Sequence, residues 1–383
     1  MSAGEINKGL EIVPVDLYNR GQVKQFIKFH YRIYEGDPNW VAPLMIDYLE
    51  RLNPKKHPYF LHSSVQPFMA VRDGKIVGRL TAHENTKHVE YRNEKVGFFG
   101  FFECEKDQEA ADGLFSAAAD WLRERGLEIM RGPASYSVNG DPIGLLVDGF
   151  NSPPVVGMSY NPAYYEKLIT EFGFKKAQDL HAYYFKVKKE SPDRFRHIAE
   201  RAMRDPRLSF RTVKMKDLKK EIDNLKFIYN EALSKNWGAV PMTDEEFEHF
   251  AGELKLAADP DVTLVAEYDG KPVGLSLVFK DFNQALRPLK GRLLPFGIIK
   301  LLMMKNKITF ARLPVLGVLE PYRNRGIDIA LYVKSMELGY NKSGYREAEL
   351  SWILESNSMM TKILVHLGMT LYKTYRMYDK DIR

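Results

Sequence analysis

The chain has one cysteine, Cys104, in 383 residues, so no internal disulfide framework holds it together. Its apolar runs all stop short of the ~18 residues that a membrane span needs. Residues 1–10 lack the apolar core of a signal peptide, and cytoplasmic residence is the expectation. No His, Cys, Asp and Glu stand at metal-ligand spacing, so no metal is expected. The phosphate-loop pattern GxxxxGK(S/T), the dinucleotide pattern GxGxxG and the serine nucleophile elbow are all missing. Charge of one sign is missing too: residues 282–319 contain no Asp or Glu.

What is present describes a folded chain of more than one domain. Hydrophobic residues make up 45% and charged residues 28%, enough to bury proper cores. The length predicts two or three domains. A net charge of +6 is mild; it permits an anionic partner and carries no specific nucleic-acid signal. The 12% aromatic content is spread along strand-like segments, which fits core packing better than base stacking.

The two halves repeat each other at a near-constant offset. Asn39-Trp40 matches Asn236-Trp237. The segment from Ala70 through Asp73-Gly74 to Gly78 matches that from Ala266 through Asp269-Gly270 to Gly274. Asn161 falls opposite Asn357, Gly173-Phe174 opposite Gly368-Met369, and Tyr183-Tyr184-Phe185 opposite Arg376-Met377-Tyr378. Several matches in order mark two copies of one domain, and the period is far too long for a solenoid. The copies are placed at 8–188 and 193–383, with a charged boundary at 186–193 and an added helix at about 193–204 leading into the second. Each copy starts with a strand and a helix (22–34; 218–233). An Asp-Gly hairpin follows, then strand, helix, strand, helix and a last strand.

The second copy carries the most informative segment. Leu316-Gly317-Val318-Leu319 reads as a strand end, Glu320 to Gly326 as a basic turn, and Ile327-Asp328 as the start of an amphipathic helix. A glycine lets backbone N–H groups approach a ligand, a helix N-terminus offers unpaired donors, and Arg323 and Arg325 add positive charge. Together they suit a pyrophosphate. Arg323-Asn324-Arg325-Gly326 resembles the coenzyme A signature of GNAT-family acyltransferases, Q/R-x-x-G-x-G/A, with Asp328 where a second small residue is usual. The order of elements resembles the GNAT fold over nearly the whole chain. The fold class expected is therefore α/β (α+β in some schemes): two tandem GNAT-like domains, each a mixed, mostly antiparallel sheet flanked by helices.

The resemblance implies an acyl-CoA co-substrate (acetyl-CoA or a longer chain) and an amine acceptor. Leu316, Gly317, Val318, Arg323, Asn324, Arg325, Gly326, Ile327 and Asp328 would hold the cofactor, and Asn357 would contact the pantetheine arm. N–H groups around Gly317–Leu319 would bind the thioester oxygen. The ammonium must lose a proton, and Glu320 at the turn or Glu355 at the end of the next strand is the expected base. Leu364 stands where the family has its thiolate-protonating Tyr, so the acid is either absent, a water, or another residue such as Tyr372, Tyr375 or His366. On the strand before Glu355, alternation sets Glu349, Ser351 and Ile353 on one face and Leu350, Trp352 and Leu354 on the other.

The first copy reads Cys104-Glu105-Lys106-Asp107-Gln108-Glu109 after its central strand 96–103, with Glu103 aligned to Glu320 and Leu114 to Leu331. It has no glycine and the wrong sign for phosphate, so it should not hold CoA; packing on the second copy and walling the substrate site is its expected role. Its insertion at 134–160 is read as a substrate-facing loop or as inter-domain packing. The acid-free run contains Arg287, Lys290, Arg292, Lys300, Lys305, Lys307 and Arg312 around Leu293-Leu294, Pro295-Phe296, Ile298-Ile299 and Leu301-Leu302-Met303-Met304. Three readings stay open: an interfacial helix giving peripheral membrane contact through 286–307, the lining of an acyl channel, or a core helix with solvated lysines. Tandem GNAT architecture also occurs in protein N-myristoyltransferases and in aminoacyl transferases of cell-wall precursors. An N-acyltransferase acting on a small-molecule or lipid-like amine, such as a sphingoid base, is the leading expectation. A non-catalytic acyl-CoA or lipid-binding protein and an aminoacyl-tRNA-dependent transferase are the alternatives.

Overall fold

The computed structural model describes residues 9–136, 141–233, 235–292, 297–304 and 307–383. They divide into two compact units. One runs to Asp179 and adds residues 289–293 and 375–383; the other takes 180–288 and 294–374.

In the first unit β1 (Leu10–Pro14) leads into α1 (Arg20–Ile33) and α2 (Met45–Arg51). Next come β2 (Ser63–Arg72), β3 (Lys75–Asn85), α3 (Thr86–Arg92), β4 (Val96–Cys104) and α4 (Gln108–Arg123). Then follow β5 (Ile129–Gly132), β6 (Leu145–Asp148), α5 (Tyr165–Glu171) and β7 (Lys175–Lys186). Strands β1 to β4 pair antiparallel in sequence order, and β4 pairs parallel with β5. The predicted hairpin forms, with Asp73 and Gly74 both at positive φ (50° and 73°), the geometry of a type I′ turn. Helix α4 supplies the core. Ala110, Ala111, Leu114, Phe115, Ala118, Ala119 and Leu122 recur at helical spacing and are buried against the sheet.

The second unit opens with α6 (Asp193–Ala202), the helix predicted to follow the boundary. It continues through β8 (Leu208–Thr212), α7 (Leu218–Leu233), α8 (Asp244–Ala257), β9 (Leu264–Tyr268) and β10 (Lys271–Lys280). Short α9 (Asn283–Leu286) and α10 (Gly297–Met304) precede β11 (Phe310–Val318) and α11 (Ile327–Asn341). The chain ends with β12 (Glu347–Leu354), α12 (Ser358–His366) and β13 (Thr370–Asp381). The pattern repeats: β8 to β11 pair antiparallel, β11 pairs parallel with β12, and Asp269 and Gly270 take positive φ. Leu331 on α11 and Leu114 on α4, aligned in the sequences, are both fully buried at the centre of their cores.

The compact units are not the two linear halves. The second unit's β12 pairs antiparallel with the distal part of β7, Leu350 opposite Tyr183, so the first half of the sequence supplies that strand. The first unit's β5 pairs with the distal part of β13, Gly132 opposite Tyr378, so the second half supplies that one. The repeated closing strands therefore each complete the unit of the other half of the sequence. Arg131 fixes one of these registers with two 2.8 Å hydrogen bonds to Asp379, the fork-on-carboxylate geometry that only arginine offers.

The insertion at 134–160 is seen from 134 to 136 and from 141 onward; Ser137 to Gly140 lie outside the described residues. Its far end folds back on the loop after α1, where Tyr160 donates to Asp37 at 2.9 Å and Asn39 donates to the Phe150 carbonyl at 3.1 Å. Trp40 stacks on Tyr34 with centroids 5.0 Å apart.

Candidate active site

In the second unit β11 and β12 are in parallel register only from Phe310↔Glu347 to Leu313↔Leu350, although β11 continues to Val318 and β12 to Leu354. The two central strands part after that rung. The edge that each turns toward the gap follows from alternation. The Leu319 N–H donates to the Val273 carbonyl at 2.9 Å, toward β10. Gly317 shares that edge, and Leu316 and Val318 turn to the gap. Of the three expected oxyanion donors, Val318 is the one aimed there.

The turn after β11 is a short 3-10 coil, Glu320–Tyr322, ended by Arg323. The Arg323 Nε donates to the Val318 carbonyl at 3.0 Å and its Nη2 to the Ala232 carbonyl at 3.3 Å. Its guanidinium thus braces the turn as well as charging it. Asn324 and Gly326 take positive φ (61° and 76°). Gly326 is the N-cap of α11 and brings no capping side chain, so the first amides of the helix receive no side-chain oxygen from the cap residue. Asp328 sits half-buried in the first turn, where its charge complements the helix dipole. Exposed Arg325 lies over the rings of Tyr268 and Tyr322, 5.4 and 5.6 Å from their centroids. A positive, glycine-capped helix start has the chemistry to accept a phosphate ester.

The expected acid–base residues fall in different places. Glu320 is exposed and bridged by Lys235 at 2.6 Å. That hydrogen bond and charge hold its carboxyl below the usual range, which weakens it as a proton acceptor. Glu355 follows the end of β12 and is exposed. Asn357 uses its side-chain oxygen to cap α12, accepting from Met360 N–H at 3.2 Å. Tyr375 is fully buried and belongs to the first unit, whereas the turn belongs to the second. His366 is exposed, with Nδ1 2.7 Å from the Lys362 carbonyl.

The structure also assembles a polar cluster whose members sequence reasoning did not bring together. Ala311 and Ala348 face the core under α11; Arg312 and Glu349, paired across the same strands, alternate to the other face. Both are buried, with Arg312 Nε 3.9 Å from Glu349 Oε1. Ser351 and Tyr372 each donate a hydroxyl to Glu349, and Arg312 donates to Ser351 Oγ at 2.9 Å. Glu349 sits one rung before the strands part. The available signal was Arg312 inside an otherwise apolar strand, facing a strand whose Glu and Ser share one side.

The first unit builds the same corner differently. Asp107 caps α4, accepting from Ala110 N–H at 3.1 Å, so the chain's own carboxylate sits at that helix start. Arg72 pairs with Asp107 at 2.9 Å and Glu109 at 2.7 Å, and Arg32 pairs with Glu105 at 2.8 Å. The Tyr165 hydroxyl accepts from Cys104 N–H at 3.0 Å, and Tyr164 donates to the Cys104 carbonyl at 2.7 Å. Buried Glu103 accepts from Tyr34 at 3.0 Å and Tyr165 at 2.7 Å, with His30 at 3.3 Å and Arg79 at 3.9 Å. Burial pushes its carboxyl up to about 7 against the pull of Arg79 and the two tyrosines. Burial, then Arg79, hold the His30 imidazole well below its ordinary value.

No protein-family model matches the chain. A protein of Caulobacter vibrioides named bacterial ceramide synthase is 37% identical over 390 residues, covering 98% of each chain. The chain belongs to the bacterial ceramide synthase family. Protein YghO of Escherichia coli, 32% identical over 371 residues with 95% of this chain and 94% of that one covered, falls alongside. As a bacterial ceramide synthase family member the chain is an acyltransferase. Solved structures agree on its architecture. A tandem GNAT protein from the clavulanic acid biosynthesis pathway superposes with a TM-score of 0.58 at 12% identity, covering 98% of this chain and 99% of that one. A GCN5-related N-acetyltransferase from Sphaerobacter thermophilus gives 0.51 at 14% identity, covering 98% and 96%. The fold of this family member is the tandem GNAT fold expected from its repeat and turn. No helix among its described residues is long and apolar enough to cross a membrane.

Proposed function

We propose that the second unit binds a long-chain acyl-CoA and that the protein transfers its acyl group to the amine of a sphingoid-type base, giving an amide and free CoA. The observation that carries this reading is the α11 start: a glycine cap without a side chain, flanked by Arg323 and Arg325, at the end of a central strand that parts from its neighbour. The likeness to a protein named for ceramide synthesis supports the lipid-amine acceptor.

The pyrophosphate would lie on the amides of Ile327 and its neighbours, with Arg325 as its exposed counter-charge. Pantetheine would run along the gap edge of β11, and the Val318 N–H would take the developing oxyanion. The amine nitrogen attacks the thioester carbonyl, a C–N bond forms, and the C–S bond breaks. One ammonium proton must leave before attack; the nitrogen gives up a second as the tetrahedral intermediate collapses, and the departing thiolate takes one up, so one proton is released overall. Glu355 or Glu320 would be the acceptor; Lys235, which engages Glu320, lowers its basicity. Half-buried Tyr372, held on Glu349, is favoured over Tyr375 as the donor.

The test is calorimetric titration with CoA, acetyl-CoA and palmitoyl-CoA, followed by mass spectrometry of a reaction with palmitoyl-CoA and sphinganine. Tight palmitoyl-CoA binding and an N-palmitoyl product are expected. Acetyl-CoA binding with no competition by longer chains would defeat the long-chain reading.

A further inference from the structure

We infer that α10 is a docking helix that seats the protein on an anionic phospholipid surface. Ile299, Leu302 and Met303 are 58%, 54% and 66% exposed. They stand at i, i+3 and i+4, so they share one face of the helix. Gly297, Leu301 and Met304 are half-buried and fall on the opposite arc, by which the helix lies against its unit. Lys300 is exposed at the edge between the two arcs. Most other exposed large apolar residues, such as Tyr18, Ile46 and Leu256, stand far apart along the chain and need no partner. Three on one face within five positions are a patch.

Charge selects the occupant. The patch lies inside the run 282–319, which has no acid. Arg312, one of the seven cations in that run, is buried in the Glu349 cluster and is not part of the surface. Arg287, Lys300 and Lys307, which belong to the same unit as α10, are exposed; residues 293–296 and 305–306 lie outside the described residues. An apolar face on a stretch of chain whose charged residues are all cations fits an acyl-chain layer under negative headgroups. Eight residues rise only about 12 Å, so the helix lies in the interface and does not cross it.

Docking of this kind needs neither acyl donor nor acceptor, so it is tested apart from turnover. The full chain is floated with vesicles of phosphatidylcholine alone and of phosphatidylcholine with phosphatidylglycerol. Binding to the anionic vesicles is expected to exceed the other by about tenfold or more and to fall with salt. The triple variant Ile299→Asp, Leu302→Asp, Met303→Asp should lose it. The pair Lys300→Glu, Lys307→Glu should weaken it about tenfold. Leu256→Asp, at a still more exposed apolar position elsewhere, should bind as wild type does. All these side chains are exposed, so melting temperatures should stay together and separate misfolding from lost docking. Equal, salt-independent binding to both vesicles would overturn the inference, as would equal loss in the Leu256 variant. Absence of vesicle binding would overturn it too: a triple variant that then loses palmitoyl-CoA affinity places α10 on an acyl channel, and one that turns a dimer into a monomer places it on a second copy.

Discussion

The corner after β4 and the corner after β11 come from the same repeat and are built to opposite ends. At the first, Asp107 caps α4 from within, two arginines neutralise the acids beside it, and Tyr164 and Tyr165 occupy both polar groups of the Cys104 backbone. At the second, the cap is Gly326 with no capping side chain, Arg323 braces the turn and Arg325 lies over two tyrosine rings, and β11 turns Val318 to a gap. A helix N-terminus binds an anion whether the anion is a side chain or a ligand. One copy has spent that capacity on its own carboxylate; the other keeps it. The buried carboxylates differ in the same sense. Glu103 closes the strand end with tyrosines, whereas Glu349 sits one rung behind the parting strands beside Arg312.

Breaking the second corner should have the largest effect. Gly326→Glu puts a like charge on the proposed phosphate site at a residue with φ of 76°. Palmitoyl-CoA affinity should fall by more than about a hundredfold, since like-charge juxtaposition costs several kcal/mol. Gly326→Ala carries only the backbone strain, about 1–3 kcal/mol of stability, and its Cβ would meet Ile198 Cγ2 at 3.1 Å. Glu109→Ala, at the aligned position of the first corner, should leave affinity unchanged; a loss there would end the contrast between the copies.

Next comes Glu349→Ala, which removes the buried carboxylate that faces Arg312 and accepts from Ser351 and Tyr372. Denaturant melts should show a loss of about 3–5 kcal/mol. Tyr372→Phe, which removes one hydrogen bond, should cost only about 1 kcal/mol of stability. If Tyr372 protonates the thiolate, the phenylalanine variant should lose kcat with KM held.

Glu103 gives the first unit a pH signature. Its folded value, about 7, stands above the ordinary 4.5. The folded state therefore holds a proton that the unfolded state gives up, and this stability is full below about 4.5 and lost as pH rises through about 7. The contribution is about 3 kcal/mol. Glu103→Gln should flatten the fall in melting temperature between those limits. His30, held low by burial and Arg79, works in the opposite direction in both proteins, so the difference between them is the quantity to read. A slope unchanged in the variant would remove Glu103 as its source.

A smaller effect is expected for Arg325→Ala: roughly a three- to tenfold loss of acyl-CoA affinity with weaker salt dependence, in keeping with about 1 kcal/mol for an exposed ion pair. Lys106→Ala on the first corner should do nothing. The smallest signal belongs to Cys104. Burial, then nearby Asp107, push its thiol up to about 12, and it is fully buried. It should resist alkylation until the protein unfolds, measured as reagent uptake against denaturant.

The sequence alone determined the repeat, the hairpins, the tandem GNAT architecture and the asymmetry of the two corners. Each of these rests on local chemistry: hydrophobic period, Asp-Gly turns, a glycine at a helix start, the sign of nearby charge. The added helix before β8 was legible for the same reason. Only tertiary structure decided which strand completes which unit, because β7 and β13 close the two copies at matching positions and a strand's own pattern does not name its partner. It also decided the acid–base environment. That Lys235 engages Glu320, that Glu349 and not Glu355 anchors the buried cluster, and that Arg312 leaves the basic surface all depend on residues far apart in the chain. Burial and charge pairing act through space, and a pattern read along one strand does not contain them.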